Sequence, residues 1–192
     1  MLKFVVMIGS VRTDRMGERV ALLVKRHLET RGHQVDLVDP MMEQQPMLDR
    51  MYKEHPTGEA PAGLERLAQL YRAADAFVPV AGEYNHGIQP ALKNLLDHFL
   101  EEYFFRPAGI VCYSGGPFGG VRAAMALRMA LAEMGMVTIP SLFPVSSVHR
   151  SLGADGTAVD TAYDRRIGRF LDELEWYARA LRDARDARGT PY

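Results

Sequence analysis

The chain has 192 residues, 47% of them hydrophobic and 24% charged, enough for a sizeable buried core and, on this reading, a single domain over residues 1–192. Its formal net charge of −1 gives no electrostatic reason to bind nucleic acid or an anionic membrane surface, and no basic, aromatic-interleaved stripe runs through it. The one cysteine, Cys112, excludes an internal disulfide; with an N-terminal apolar run too short to span a bilayer and lacking a basic leader, the expected location is cytoplasmic.

Leu2 to Ile8 is an apolar run of the kind buried on both faces of a parallel sheet. Gly-Ser-Val-Arg-Thr-Asp-Arg-Met-Gly follows at positions 9 to 17 and leads into a helical pattern, Gly17 to Thr30, with Val20, Leu23, Val24 and Leu28 on one face. The first turn of a helix leaves N–H groups unpaired and carries partial positive charge, so an anion fits there. Ser10 offers a hydroxyl, Arg12 and Arg15 offer planar donors suited to phosphate oxygens, and Gly17 lets the backbone come close. The spacings G-x-G-x-x-G and G-x-x-x-x-G-K-[ST] are both absent, which makes a phosphomonoester a better match than a dinucleotide or a nucleoside triphosphate. Asp14 would repel a dianion and is expected to point outward or to cap the helix. Taken alone, the segment also reads as an ordinary strand-to-helix turn with surface arginines.

A second strand is expected at Gln34 to Val38, then a polar stretch from Asp39 to Pro61 with four prolines, read as an irregular excursion near the ligand crevice or at a subunit contact. A helix over Ala62 to Ala74 and a third strand over Ala76 to Val80 precede Gly82-Glu-Tyr-Asn-His-Gly87. Main-chain groups from Glu83 to His86 can match the donors and acceptors of a fused ring, and Tyr84 or His86 can pack on ring or sugar, although His86 reads equally well as a surface residue. The next helix is placed at Gln89 to Glu101, with Leu92, Leu95, Leu96 and Phe99 inward; Lys93 and Asp97, one turn apart, form a weak surface pair. After a fourth strand at Ala108 to Tyr113, which buries Cys112 as an inert thiol, comes Ser114-Gly-Gly-Pro-Phe-Gly-Gly120. These glycines let main chain approach a planar ligand, or allow close helix packing at Gly119 and Gly120. A helix at Val121 to Met134, a fifth strand at Met136 to Pro140 and a long helix from Tyr163, with Ile167, Phe170, Leu171 and Leu174 on one stripe, complete the order.

Strands alternating with helices mean a three-layer α/β sandwich: a flavodoxin-like, five-stranded parallel sheet of order 2-1-3-4-5 with helices on both faces. Such sheets bind ligands at the carboxyl ends of the strands where the winding reverses, here between the first and third. That rule gathers the three unusual loops around one crevice.

These three motifs, Gly-Ser-Val-Arg with Arg15 and Gly17, then Glu-Tyr-Asn-His-Gly with Leu-Lys-Asn-Leu-Leu-Asp, then Ser-Gly-Gly-Pro-Phe-Gly-Gly-Val-Arg-Ala, resemble in sequence and order those of the NAD(P)H-dependent FMN reductase family, up to about His149. The family also contains quinone, azo-dye and chromate reductases. The resemblance implies that Ser10, Arg12, Arg15, Met16 and Gly17 hold the FMN phosphate. It assigns Glu83, Tyr84, Asn85 and His86 to the ribityl chain and one flank of the isoalloxazine, and Ser114, Gly115 and Gly116 to its pyrimidine edge. It further implies NADPH or NADH as electron donor, a small-molecule electron acceptor, and a homodimer or homotetramer with the flavin near a subunit boundary. Gly82 stands where the family commonly has proline, which is expected to loosen the turn, and Arg15 where many members have serine. No catalytic side chain is required, because the flavin carries the chemistry; neither a G-x-S-x-G elbow nor a metal-spaced His/Cys cluster is present. The alternatives are a flavodoxin-like electron-transfer module without nicotinamide oxidase activity and, further off, a sugar-phosphate enzyme on the same fold.

Overall fold

A computed structural model describes residues 1–192. In chain order the elements are β1 (Lys3–Ile8), α1 (Gly17–Thr30), β2 (Gln34–Val38), the short α2 (Pro40–Glu43), α3 (Ala62–Ala73), β3 (Ala76–Gly82), α4 (Pro90–Asp97), β4 (Pro107–Tyr113), α5 (Val121–Glu133), β5 (Val137–Val145), the short α6 (Val148–Ser151) and α7 (Ala162–Arg188), with single 3-10 turns at Tyr52–Glu54 and Glu101–Tyr103. The strands form one parallel sheet in the order β2-β1-β3-β4-β5, the flavodoxin-like arrangement expected. Its winding reverses between β1 and β3, where Ile8 pairs with Val80.

Alternate side chains along each central strand feed two separate cores, one on each face of the sheet. Phe4, Val6 and Ile8 of β1, with Val78 and Val80 of β3, pack against Val20, Val24 and Leu28 of α1 and Ile167, Phe170 and Leu174 of α7. Val5 and Met7, with Phe77 and Ala81, face Leu67 and Tyr71 of α3, Leu92 and Leu96 of α4, and Leu127 and Leu131 of α5. Burial on both sides makes β1, β3 and β4 near-continuous apolar runs, and it holds their carboxyl ends in fixed register beneath the loops.

The largest departures from the sequence-based boundaries lie in the fourth helix and the fifth strand, and β3 also runs two residues further than expected, to Gly82. The fourth helix ends at Asp97 rather than Glu101. Phe99 lies beyond the helix end and joins Tyr71, Phe77 and Tyr103 in an aromatic cluster with ring centroids 4.9 to 5.6 Å apart about Tyr71 and Phe77, edge-to-face and stacked pairs that favour this placement. The fifth strand begins at Val137 and runs on to Val145, through Pro140 and Pro144, which an edge strand tolerates because one row of its N–H groups has no ladder to serve. The segment 39–61 is largely irregular but anchored: Asn94 of α4 accepts the Leu48 N–H at 2.9 Å and donates to the Pro46 carbonyl at 2.8 Å, and the Tyr52 N–H reaches the His98 carbonyl at 2.7 Å. The Lys93–Asp97 surface pair is present. No helix is long and apolar enough to cross a membrane.

Candidate functional site

At the carboxyl end of the sheet a cavity of about 510 Å³ is walled by Ser10 to Met16 without Val11, by Gly82 to Tyr84, by Tyr113 to Gly115, and by Val148 and His149. The winding reversal has therefore brought together Ser10, Arg12, Arg15, Met16, Glu83, Tyr84, Ser114 and Gly115 from three loops. Gly17, Asn85, His86 and Gly116 lie outside its lining. Thr13, Asp14, Gly82, Tyr113, Val148 and His149 line it and were not singled out from sequence as ligand contacts. Tyr113 closes a strand whose carboxyl end the fold rule already aims at the site, which is the signal that could have found it.

The first loop is built to receive an anion. Gly9 donates its N–H to the Val80 carbonyl at 3.1 Å, fixing the exit from β1. The main-chain N–H groups of Thr13, Asp14, Arg15 and Met16 have no acceptor within the chain, and Met16, at the α1 N-cap, supplies no side-chain cap. Ser10 is buried, its hydroxyl 3.1 Å from that of Tyr84 and accepting the Arg12 N–H at 3.4 Å. Arg12 makes no ion pair; its guanidinium carbon sits 5.8 Å from the Tyr84 ring centroid, a free cation at the cavity wall. Asp14 is exposed with φ of 53° and lines the cavity without capping α1. Its left-handed backbone marks a sharp change of chain direction just before α1.

Arg15 and Glu83 both line the cavity, but their charged groups are engaged elsewhere in the chain. Arg15 does not hold out its guanidinium: it forks onto Asp39, with one contact of 2.6 Å, and donates to the Ser10 carbonyl at 2.9 Å. The Asp39 hydrogen bond raises the Arg15 pKa; burial pushes the Asp39 carboxyl up, but the Arg15 and Met41 hydrogen bonds prevail and hold it below the usual range. Arg15 thus braces the loop against the start of the 39–61 segment. The Glu83 carboxylate likewise turns away, accepting the N–H groups of Arg122 at 3.1 Å and Ala123 at 3.3 Å and pairing with the Arg122 guanidinium at 3.3 Å. It caps α5 from another loop, and only the rest of the residue faces the cavity.

The second loop is also tighter than expected. Tyr84 and Gly87 exchange both main-chain hydrogen bonds, at 3.2 and 2.9 Å, across Asn85 and His86, whose φ values of 51° and 65° mark a type I′ turn. That geometry exposes both side chains and keeps them off the cavity. Gly82 does not loosen the turn, because its N–H is held by Gln89 at 2.6 Å. In the third loop, Ser114 donates its N–H to Val145 at 3.1 Å, while Gly115, Gly116 and Phe118 leave theirs without an acceptor in the chain. Cys112 is buried beneath, its thiol pushed up to about 12 by desolvation, inert as expected.

The arrangement offers a loop with unpaired N–H groups and a free cation on one wall of the cavity, and exposed glycine main chain on another. Comparison with known proteins identifies the family. Residues 2–150 match the family described as NADPH-dependent FMN reductase. The chain is 34% identical over 179 residues to an NAD(P)H-dependent FMN reductase of Schizosaccharomyces pombe, covering 90% of this chain and 85% of that one. It is 30% identical over 128 residues to one of Pseudomonas aeruginosa, covering 64% and 69%. Among solved structures, the flavoenzyme NAD(P)H:(acceptor) oxidoreductase from Paracoccus denitrificans superposes with a TM-score of 0.73 at 21% identity over 92% of this chain and 99% of that one, a likeness of fold. Because the matched span takes in all three loops around the cavity, the chain belongs to the NADPH-dependent FMN reductase family of oxidoreductases.

Proposed function

We propose that the cavity binds FMN, with the phosphate at the α1 N-terminus and the ring system toward the main chain of Ser114 to Gly116, and that the enzyme uses NADPH or NADH to reduce a small acceptor. The observation that carries this reading is the run of unpaired N–H groups from Thr13 to Met16 beside the free Arg12 guanidinium. Four unpaired N–H groups in one short loop and one cation suit a dianionic phosphomonoester, and a cavity of about 510 Å³ suits a ligand of FMN's size. When bound, FMN supplies the redox step, taking a hydride from nicotinamide and passing its electrons on.

The protein's own part is to bind, orient and exclude. Arg12, Ser10 and the loop N–H groups hold the anion; Tyr84, tied to the Ser10 hydroxyl, walls one flank; the N–H group of Gly115 serves the polar ring edge, and that of Gly116, outside the lining, is also unpaired. Arg15 and Glu83 act through the loops they brace. The homodimer or homotetramer implied by the resemblance, and the cytoplasmic location expected from the cysteine usage and the N-terminal run, belong to the same proposal. Met42 and Met47, each 78% exposed on the segment next to the site, supply apolar surface for a subunit contact.

The test is an absorbance spectrum of the purified protein with added FMN, followed anaerobically as NADPH or NADH is introduced. Perturbed flavin bands that bleach support the reductase. Bound flavin that does not bleach favours the electron-transfer alternative, and absence of binding overturns the flavin reading.

A further inference from the structure

Below the cavity lies a buried polar pair that the reading above leaves unused. Gln89, the residue before α4, is only 1% exposed. Its Oε1 accepts the Gly82 N–H at 2.6 Å and its Nε2 donates to the Tyr113 hydroxyl at 3.3 Å. Three glycines from three parts of the site clear the space these two side chains fill. A Cβ at Gly9 would collide with Gln89 Oε1 and come within 2.7 Å of the Val80 carbonyl. One at Gly82 would lie 2.8 Å from Gln89 Nε2 and 3.0 Å from the Tyr113 ring, and one at Gly17 would lie 2.7 Å from the Tyr113 hydroxyl. The exit of β1, the start of α1 and the ends of β3 and β4 therefore all meet on one amide and one phenol.

A buried amide is costly when either end is unmet. In this arrangement both ends are met, and any displacement of the β3 end relative to β4 breaks one of the two bonds, so the pair selects a single spacing of the loops. A proline at position 82 would have no N–H to give, which makes Gly82 and Gln89 a matched set. Tyr113 itself lines the cavity. Burial raises the pKa of its phenol against the Gln89 hydrogen bond, so it stays neutral and keeps an O–H with which to donate a hydrogen bond.

We propose that Gln89 is a positioning residue: it sets the separation of the β3 and β4 loops, and the placement of the Tyr113 hydroxyl, that FMN requires, without touching the ligand. The inference rests on the FMN reading of the site. It is tested by FMN titrations of wild type, Gln89→Met, Tyr113→Phe and the double variant, together with apo-protein melting and the visible circular dichroism of each FMN-saturated protein. Each single change is expected to raise the Kd about three- to tenfold, the equivalent of one lost hydrogen bond. The double variant should lose little more than the worse single, because the two groups act as one unit. The dichroism of bound flavin should change in every Gln89 variant.

A Gln89→Met protein that melts lower yet binds FMN within twofold of wild type, with unchanged dichroism, overturns the proposal, since that is what mere packing gives. Fully additive losses in the double variant also overturn it. If Gln89→Met does not fold, Tyr113→Phe decides, as it removes one hydroxyl from a cavity-facing ring: an unchanged Kd and spectrum refute the inference. Wild-type protein that fails to bind FMN defeats the functional reading and this inference together, whereas binding that none of the variants disturbs defeats this inference alone.

Discussion

Helices α1 and α5 start in the same setting, each following a glycine-bearing loop at the carboxyl end of a sheet strand, yet they end up with opposite electrostatics. The N–H groups leading into α1 are unpaired and lie beside the free Arg12. Those opening α5 are taken by the Glu83 carboxylate, which arrives from a loop 39 residues earlier. Both helix ends are equally fit for an anion by dipole and geometry. The fold supplies two candidate anion sites, and one side chain closes the second with a built-in anion, leaving its loop to offer neutral main chain to a flat ring.

The largest expected effect concerns the open end. Arg12→Ala should weaken FMN binding by roughly 1.5–3 kcal/mol, the worth of a charge-assisted hydrogen bond, or about ten- to a hundredfold in Kd by fluorescence titration. An unchanged Kd would remove Arg12 from the site. At the closed end, Glu83→Ala should cost about 1–2 kcal/mol in urea unfolding, as loss of a helix cap does, with a smaller loss of FMN affinity than Arg12→Ala. Should its FMN affinity fall as far as that of Arg12→Ala with stability intact, Glu83 holds the ligand directly and the contrast between the helices fails.

A smaller effect separates the two arginines of the first loop. The Asp39 carboxyl that braces Arg15 has a pKa lowered in the folded protein, so its contribution is fully present above the unfolded carboxylate value of about 4 and is lost as the pH falls through the folded value. Asp39→Asn should therefore cost on the order of 1 kcal/mol at neutral pH and progressively less in acid, read from denaturant melts across pH. A constant difference down to strong acid would contradict the pairing. Smallest of all, Arg122→Ala gives up a half-exposed ion pair with Glu83 and a cation–π contact with Phe118 at 4.4 Å, together about 0.5 kcal/mol by thermal melting. A larger loss would mean that Glu83 needs Arg122 in order to cap.

The features legible in the sequence were those carried by periodicity and main chain. The order of five strands and the bounds of α1 follow from apolar patterning, and the loop with unpaired N–H groups that opens α1 follows from a strand, a short polar stretch and a helix in series. Pro140 and Pro144 hid the second half of β5, because proline marks a strand end unless the strand is already known to lie on an edge. Phe99 fitted the apolar stripe of α4, and only the packed Tyr71 and Phe77 show why it leaves the helix. In the site, Arg15 was recognised by residue type and Glu83 by its place in the second loop, but their partners Asp39 and Arg122 lie 24 and 39 residues away, a pairing that local spacing does not reveal. Gln89 read as the opening of a helix for the same reason.

The most direct measurement compares the affinities of FMN and riboflavin, which differ only in the phosphate, for the wild-type protein and for Arg12→Ala. An anion site at the α1 N-terminus predicts that wild type binds FMN at least tenfold more tightly than riboflavin, and that Arg12→Ala narrows this gap while leaving riboflavin affinity nearly unchanged. Equal affinity of the wild type for the two flavins would contradict it.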